Sequence, residues 1–128
     1  GRIDSLMSPV QSGSDRILKL MGRKYSAEAW RDLMLEINSK YPHIRLSTQF
    51  LVGFPTETDA DFQATLNLLM PPLRLDDLFI FQFSPRPGIP ALKLNGTVDK
   101  QVKEARAAAL LRRFAYRYAR NSLRFRSR

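Results

Sequence analysis

Three short stretches concentrate the polar chemistry of this chain: "PVQSGSD" (9–15), "GFPTET" (53–58) and "FSPRPG" (83–88). The first offers the Gln11 carboxamide and the hydroxyls of Ser12 and Ser14, the second the Glu57 carboxylate, the third the Ser84 hydroxyl and the Arg86 guanidinium. These groups bind by directed hydrogen bonds and charge; a Pro-bracketed Arg86 can be aimed at a carboxylate or a phosphate, or held in a salt bridge to a neighbouring loop. Ser12 and Ser14 have a competing use, since serines also form turns and cap helices. Glu57 has one too, at the positive end of the helix that follows. Cysteine is absent, which excludes disulfides and thiolate-ligated metal within the chain. The single histidine, His43, follows Pro42 at the opposite edge of a predicted strand and reads as a loop residue. No residue is assigned a catalytic or metal-binding role.

The stretches share one context: an apolar run, a Gly/Pro/Ser turn, then a helical pattern. Ser14 is placed to cap a short helix carrying Ile17, Leu18, Leu20 and Met21, which Gly22 stops. A second helix is predicted from Ser26 as N-cap to about Lys40, with Trp30, Leu33, Met34 and Ile37 along one side. "IRLSTQFLV" from Ile44 reads as a buried parallel strand. Thr58 and Asp61 form a capping-box pattern ahead of a helix carrying Phe62, Leu66 and Leu69, ended by Pro71. "LFIFQF" (78–83) is a third strand, and a long helix is expected from about Asp99 to Leu123.

Strand, turn and helix repeated three times describe an α/β fold with parallel strands and right-handed crossovers. In that topology the three turns fall on one edge of the sheet, at the carboxyl ends of the strands, where α/β proteins bind ligands.

The 128 residues suffice for one domain but not for a complete eight-stranded barrel, which takes about 200–250. No run of about 18 apolar residues is present. With no secretory signal pattern either, a cytoplasmic setting is expected. The net charge of +9 is uneven, because residues 101–128 hold nine basic residues against the single acid Glu104. At about 100° per residue, Arg106, Arg113, Arg117, Arg120 and Arg124 fall in one stripe of the last helix. Ala107, Leu110, Leu111, Phe114, Tyr118 and Phe125 occupy the adjoining face. The stripe is suited to RNA phosphates; a solvated helix whose late arginines complement its dipole is the competing account.

The blocks "PVQSGSDRILKLMGRKYS", "STQFLVGFPTETDADFQATL" and "FQFSPRPGIPA", in this order, resemble the radical S-adenosylmethionine methylthiotransferases, and "VQSGSDRIL" with "SPRPG" is most similar to the tRNA-modifying branch. The resemblance implies a partial, TIM-like (β/α) barrel in which S-adenosylmethionine lies across the strand ends and chelates a 4Fe-4S cluster. It implies that residues 1–98 are the C-terminal part of that barrel and that 99–128 form a basic amphipathic helix packed on it in the same domain. The family's CxxxCxxC loop would then lie outside this chain, leaving it inactive alone. The implied partners are tRNA, the remaining barrel half and an N-terminal domain of the same protein; no membrane is implied. By the same resemblance Gln11, Ser12 and Ser14 bind the cofactor's ribose or amino-acid end. Gly53, Phe54 and Pro55 take the adenine against main chain and an aromatic face, and Phe83 and Ser84 complete the pocket. An ordinary strand exit with Phe54 in the core is the competing reading of the second turn.

Five positions depart from the family pattern: Met7-Ser8 where His and an aliphatic residue are common, Gln49 for a frequent Asp, Thr56 for Gly and Ile89 for Thr. Thr56 bears most on the fit, since Gly permits backbone angles that Thr resists. Two alternatives stay beside the methylthiotransferase reading: another radical S-adenosylmethionine subfamily, and a non-catalytic RNA-binding α/β module. A parallel sheet cut within a barrel leaves an open edge, so self-association through that edge is expected.

Overall fold

A computed structural model describes residues 4–84 and 96–126, the last ten of them by backbone alone. The elements run β1 (Ser5–Met7), α1 (Asp15–Leu20), α2 (Ala27–Lys40), β2 (Arg45–Val52), α3 (Asp59–Asn67), β3 (Asp77–Gln82) and α4 (Lys100–Arg126). The strands form one parallel sheet in the order β1-β2-β3, with Met7 opposite Ser47 and Gln49 opposite Phe79. Helices lie within both strand connections, as parallel pairing requires. This is an α/β fold with an open three-stranded sheet, and the described strands do not close into a barrel.

Local chemistry starts each helix. Ser14, Ser26 and Thr58 all hold extended backbone and accept an amide hydrogen bond from the first helical turn. Thr58 and Asp61 complete a reciprocal capping box. Two expectations shift. In α2 the buried side is set by Trp30 and Met34, and Leu33 on the flank is 52% exposed. Helix α3 stops at Asn67, before Leu69, yet Leu69 still packs into the core.

The two faces of the sheet differ. Leu46, Thr48, Phe50 and Val52 alternate along β2 onto the core face, joined by Val10, Leu18, Trp30, Met34 and Leu110. Thr48, the polar exception, donates its hydroxyl to the Ser8 carbonyl at 2.8 Å and accepts the Val10 N–H at 3.2 Å. On the opposite face Met7, Phe79 and Phe81 are 42%, 47% and 52% exposed. Parallel sheets are ordinarily covered on both faces; among the described residues one face is buried and the other is about half exposed at these three positions.

Gly13 sets how closely the first turn approaches α3. Its N–H donates to Thr65 Oγ1 at 2.9 Å, and a β-carbon at this position would run into the Ala64 carbonyl. Backbone cannot move aside as a flexible side chain can. Gly13→Ala is therefore expected to cost about 2–3 kcal/mol in chemical denaturation, with an unchanged denaturant slope.

Candidate functional site

The three strand exits meet along one edge. Past β1, Gln11 adopts a left-handed backbone, φ 75°, yet still pairs with β2. Its N–H donates to the Gln49 carbonyl at 2.9 Å, and its carbonyl accepts the Leu51 N–H at 3.0 Å. Past β2, Gly53 turns the chain at φ 80°. Past β3, the Phe83 N–H donates to the Val52 carbonyl at 2.8 Å. The Phe83 ring meets Phe54 edge-on, with centroids 5.4 Å apart. A left-handed glutamine costs about 1–2 kcal/mol, a strain that persists only where surrounding contacts impose it.

Within this rim the side chains divide. Ser12 is fully buried; its Oγ accepts the Ser14 N–H at 3.0 Å and sits 3.5 Å from Thr65 Oγ1. Ser14 donates to Asp61 Oδ1 at 2.7 Å while capping α1. Both hydroxyls bond within the fold, in the turn-and-cap arrangement. Phe54 and Pro55 are buried, and the open side of Gly53 is filled by the stem of Lys103. Phe83 is half-buried and Ser84 exposed, while Gln11 is itself buried, with its carboxamide in only one long side-chain contact. Gln11 Oε1 has a distant contact, 3.5 Å from Gln49 Nε2, which brings Gln49 to the rim as well. Arg86 and Ile89 lie outside the described residues.

Glu57 anchors the second turn. Its side chain is 1% exposed, and Oε1 accepts both the Gly53 N–H at 2.9 Å and Arg106 Nη1 at 2.7 Å. Burial pushes the Glu57 carboxyl above its usual pKa; the Gly53 and Arg106 bonds pull against that. Arg106 also donates to the Glu57 carbonyl and to Asp59 Oδ1 at 3.0 Å, with its guanidinium 5.7 Å from the Phe62 ring centre. Arg106, expected among the phosphate-binding arginines, is buried and bonded to Glu57 and Asp59. The physical reason is its neighbour on the same face, Leu110, which is buried as well. Arg113 contacts Met70 Sδ. The side chains of Arg117, Arg120 and Arg124 lie outside the described residues. A groove of about 340 Å³ between α3 and α4, lined by Asp59, Phe62, Val102 and Arg106, lies apart from the three exits.

A second polar knot ties the first turn to the second. Arg16 donates to Asp61, to Thr56 Oγ1 at 3.0 Å and to the Thr56 carbonyl. Burial works against ionised Asp61, but bonds from Arg16, Thr58 and Ser14 outweigh it and hold the carboxyl well below the usual range. Thr56 itself sits at φ 74°, in the left-handed region, where its N–H donates to the Gly96 carbonyl at 2.7 Å.

Among the described residues no group of three or more His, Cys, Asp or Glu could hold a metal ion, and no helix is long and apolar enough to cross a membrane. The site is thus a rim of hydrogen-bonding groups and backbone at the ends of parallel strands. Residues 1–69 match the family model of the Radical SAM superfamily, and the chain belongs to that superfamily. Its sequence is similar to three proteins named tRNA-2-methylthio-N(6)-dimethylallyladenosine synthase. The one from Acidithiobacillus ferrooxidans is 49% identical over 80% of this chain, that from Coxiella burnetii 47% over 82%, and that from Geobacillus thermodenitrificans 43% over 84%. The chain spans 22%, 24% and 20% of those relatives.

Three outcomes follow from this geometry. Thr56→Gly is expected to leave stability within about 0.5 kcal/mol of the parent in thermal or urea melts, because relief of the left-handed strain is offset by the added freedom of the unfolded chain and the lost Arg16 bond to Thr56 Oγ1. Arg106→Leu leaves the Glu57 carboxylate buried without its cation and is expected to cost about 3–5 kcal/mol, enough to unfold much of the chain. Asp61→Asn is expected to cost about 1–3 kcal/mol at pH 7. Because the folded pKa of Asp61 is depressed, its contribution is complete above the unfolded value of about 4 and is lost as pH falls below it. The gap between Asp61→Asn and the parent should therefore close in melts run at progressively lower pH below about 4.

Proposed function

We propose that this chain forms the S-adenosylmethionine-binding rim of a radical S-adenosylmethionine methylthiotransferase that modifies a tRNA nucleoside. One observation carries the reading: the exits at Gln11, Gly53 and Phe83 are hydrogen-bonded into a single edge of a parallel sheet. A positive-φ backbone at two of the three exits bends the chain sharply where it leaves the sheet. The similarity to three tRNA-2-methylthio-N(6)-dimethylallyladenosine synthases supports tRNA as the acceptor class.

The residues at the rim suit the nucleoside end of that cofactor. The Gln11 and Gln49 carboxamides offer paired donors and acceptors for ribose hydroxyls, Phe83 offers an aromatic surface, and Ser84 an exposed hydroxyl. Ser12, Ser14, Gly53, Phe54 and Pro55 act one step back, by shaping the turns. The 4Fe-4S cluster supplies the one-electron chemistry of such enzymes, and its thiolates must come from outside this cysteine-free chain. In this reading the chain's own residues bind and orient, and the half-exposed face with Met7, Phe79 and Phe81 turns toward the rest of the barrel. The basic end of α4 provides the phosphate contacts of a tRNA partner. A cytoplasmic setting goes with that substrate.

The test is reconstitution of the full-length protein with iron and sulfide, followed by mass spectrometry of tRNA nucleosides. A methylthio-modified nucleoside is expected, with Gln11→Ala lowering its yield about tenfold, the loss of one or two hydrogen bonds to the ligand. An unmodified nucleoside profile from the cluster-loaded parent overturns the reading.

A further inference from the structure

Two side chains one helical turn apart on α4 reach the rim from outside. Arg106 holds Glu57, and through it the Gly53 N–H. Lys103 acts on the other sides of the same exits. Its stem lies against Gly53 so closely that a β-carbon at Gly53 would collide with its Cγ and Cδ. Its ammonium then donates to the Phe83 carbonyl at 2.9 Å. Residue 83 is thereby held twice: its N–H to the Val52 carbonyl of β2, its carbonyl to α4.

The fit is particular to these residue types. Only a long unbranched stem crosses from α4 over the β2 exit to the end of β3. Only glycine leaves room for that stem while adopting φ 80°. The ammonium makes a charge-assisted bond to the carbonyl, stronger than a neutral donor would. Among the described residues no carboxylate forms an ion pair with Lys103, so the Phe83 carbonyl is the bond that fixes its position.

We propose that Lys103 is a positioning residue, which clamps the exits of β2 and β3 into one rigid rim and thereby sets the affinity of that rim for its ligand. The clamp stands on the contacts above; its effect on affinity rests on the S-adenosylmethionine reading.

Hydrogen–deuterium exchange on this chain tests the clamp. Lys103→Met keeps the stem and removes the ammonium, and is expected to speed exchange at the Phe83 and Gly53 amides about tenfold, with amides in the middle of β2 unchanged. Lys103→Arg restores a cationic donor and should bring exchange back close to the parent rate. No acceleration at Phe83, or the same acceleration throughout β2, overturns the clamp. Titration calorimetry with S-adenosylmethionine then reads its purpose: about tenfold weaker binding in Lys103→Met, recovered in Lys103→Arg, is the expected result. Loosened rim amides with undiminished affinity overturn the link to ligand affinity. A parent chain that takes up no S-adenosylmethionine overturns the binding-site reading instead, and exchange alone then decides the clamp.

Discussion

A single carboxylate organises this structure. Glu57 is withdrawn from water and binds a backbone N–H of its own turn together with a guanidinium from a helix 49 residues further on. Burying such a pair contributes little net stability, because desolvation offsets most of the attraction. Its value is geometric. Once both charges are out of water, any arrangement that separates them leaves an uncompensated ion in an apolar setting. The turn after β2 and the first half of α4 therefore have one relative position that satisfies both.

The other contacts of the rim refine that position. Gly13 brings the first turn onto α3, Asp61 and Arg16 join the first turn to the second, and Phe54 packs edge-on against Phe83. Two residues other than glycine, Gln11 and Thr56, hold left-handed backbone within this network. Both lie at the strand exits and not within the sheet. The network over-determines their conformations, which is how local strain survives in a folded chain.

What could be read in the sequence was mostly what is local. Ser14, Ser26 and Thr58 declare helix starts because a cap and its amide are three residues apart. The alternation of Leu46, Thr48, Phe50 and Val52 declares one buried face. The strain at Thr56 was foreshadowed only by the resemblance, whose pattern has glycine there. The partners of the polar side chains were not visible. Nothing within a few residues of Ser12 points to Thr65, and nothing near Lys103 points to the Phe83 carbonyl. Arg106 shows the limit of a helical wheel, which gives direction around an axis but not what lies opposite. Its five-arginine stripe borders the apolar face, and the stripe's first member falls on the buried side of that border.

Helix α4 is long for a body this small. From Arg106 to Arg126 it continues for 20 residues, about 30 Å at the α-helical rise. Its near end is gripped at Glu57 and Phe83 and its far end bears the cationic charge. A rigid rod held in this way is a moment arm: a tilt of about 2° at the grip sweeps the far tip through about 1 Å over such a length. Conversely, whatever fixes the tip removes angular freedom from the grip.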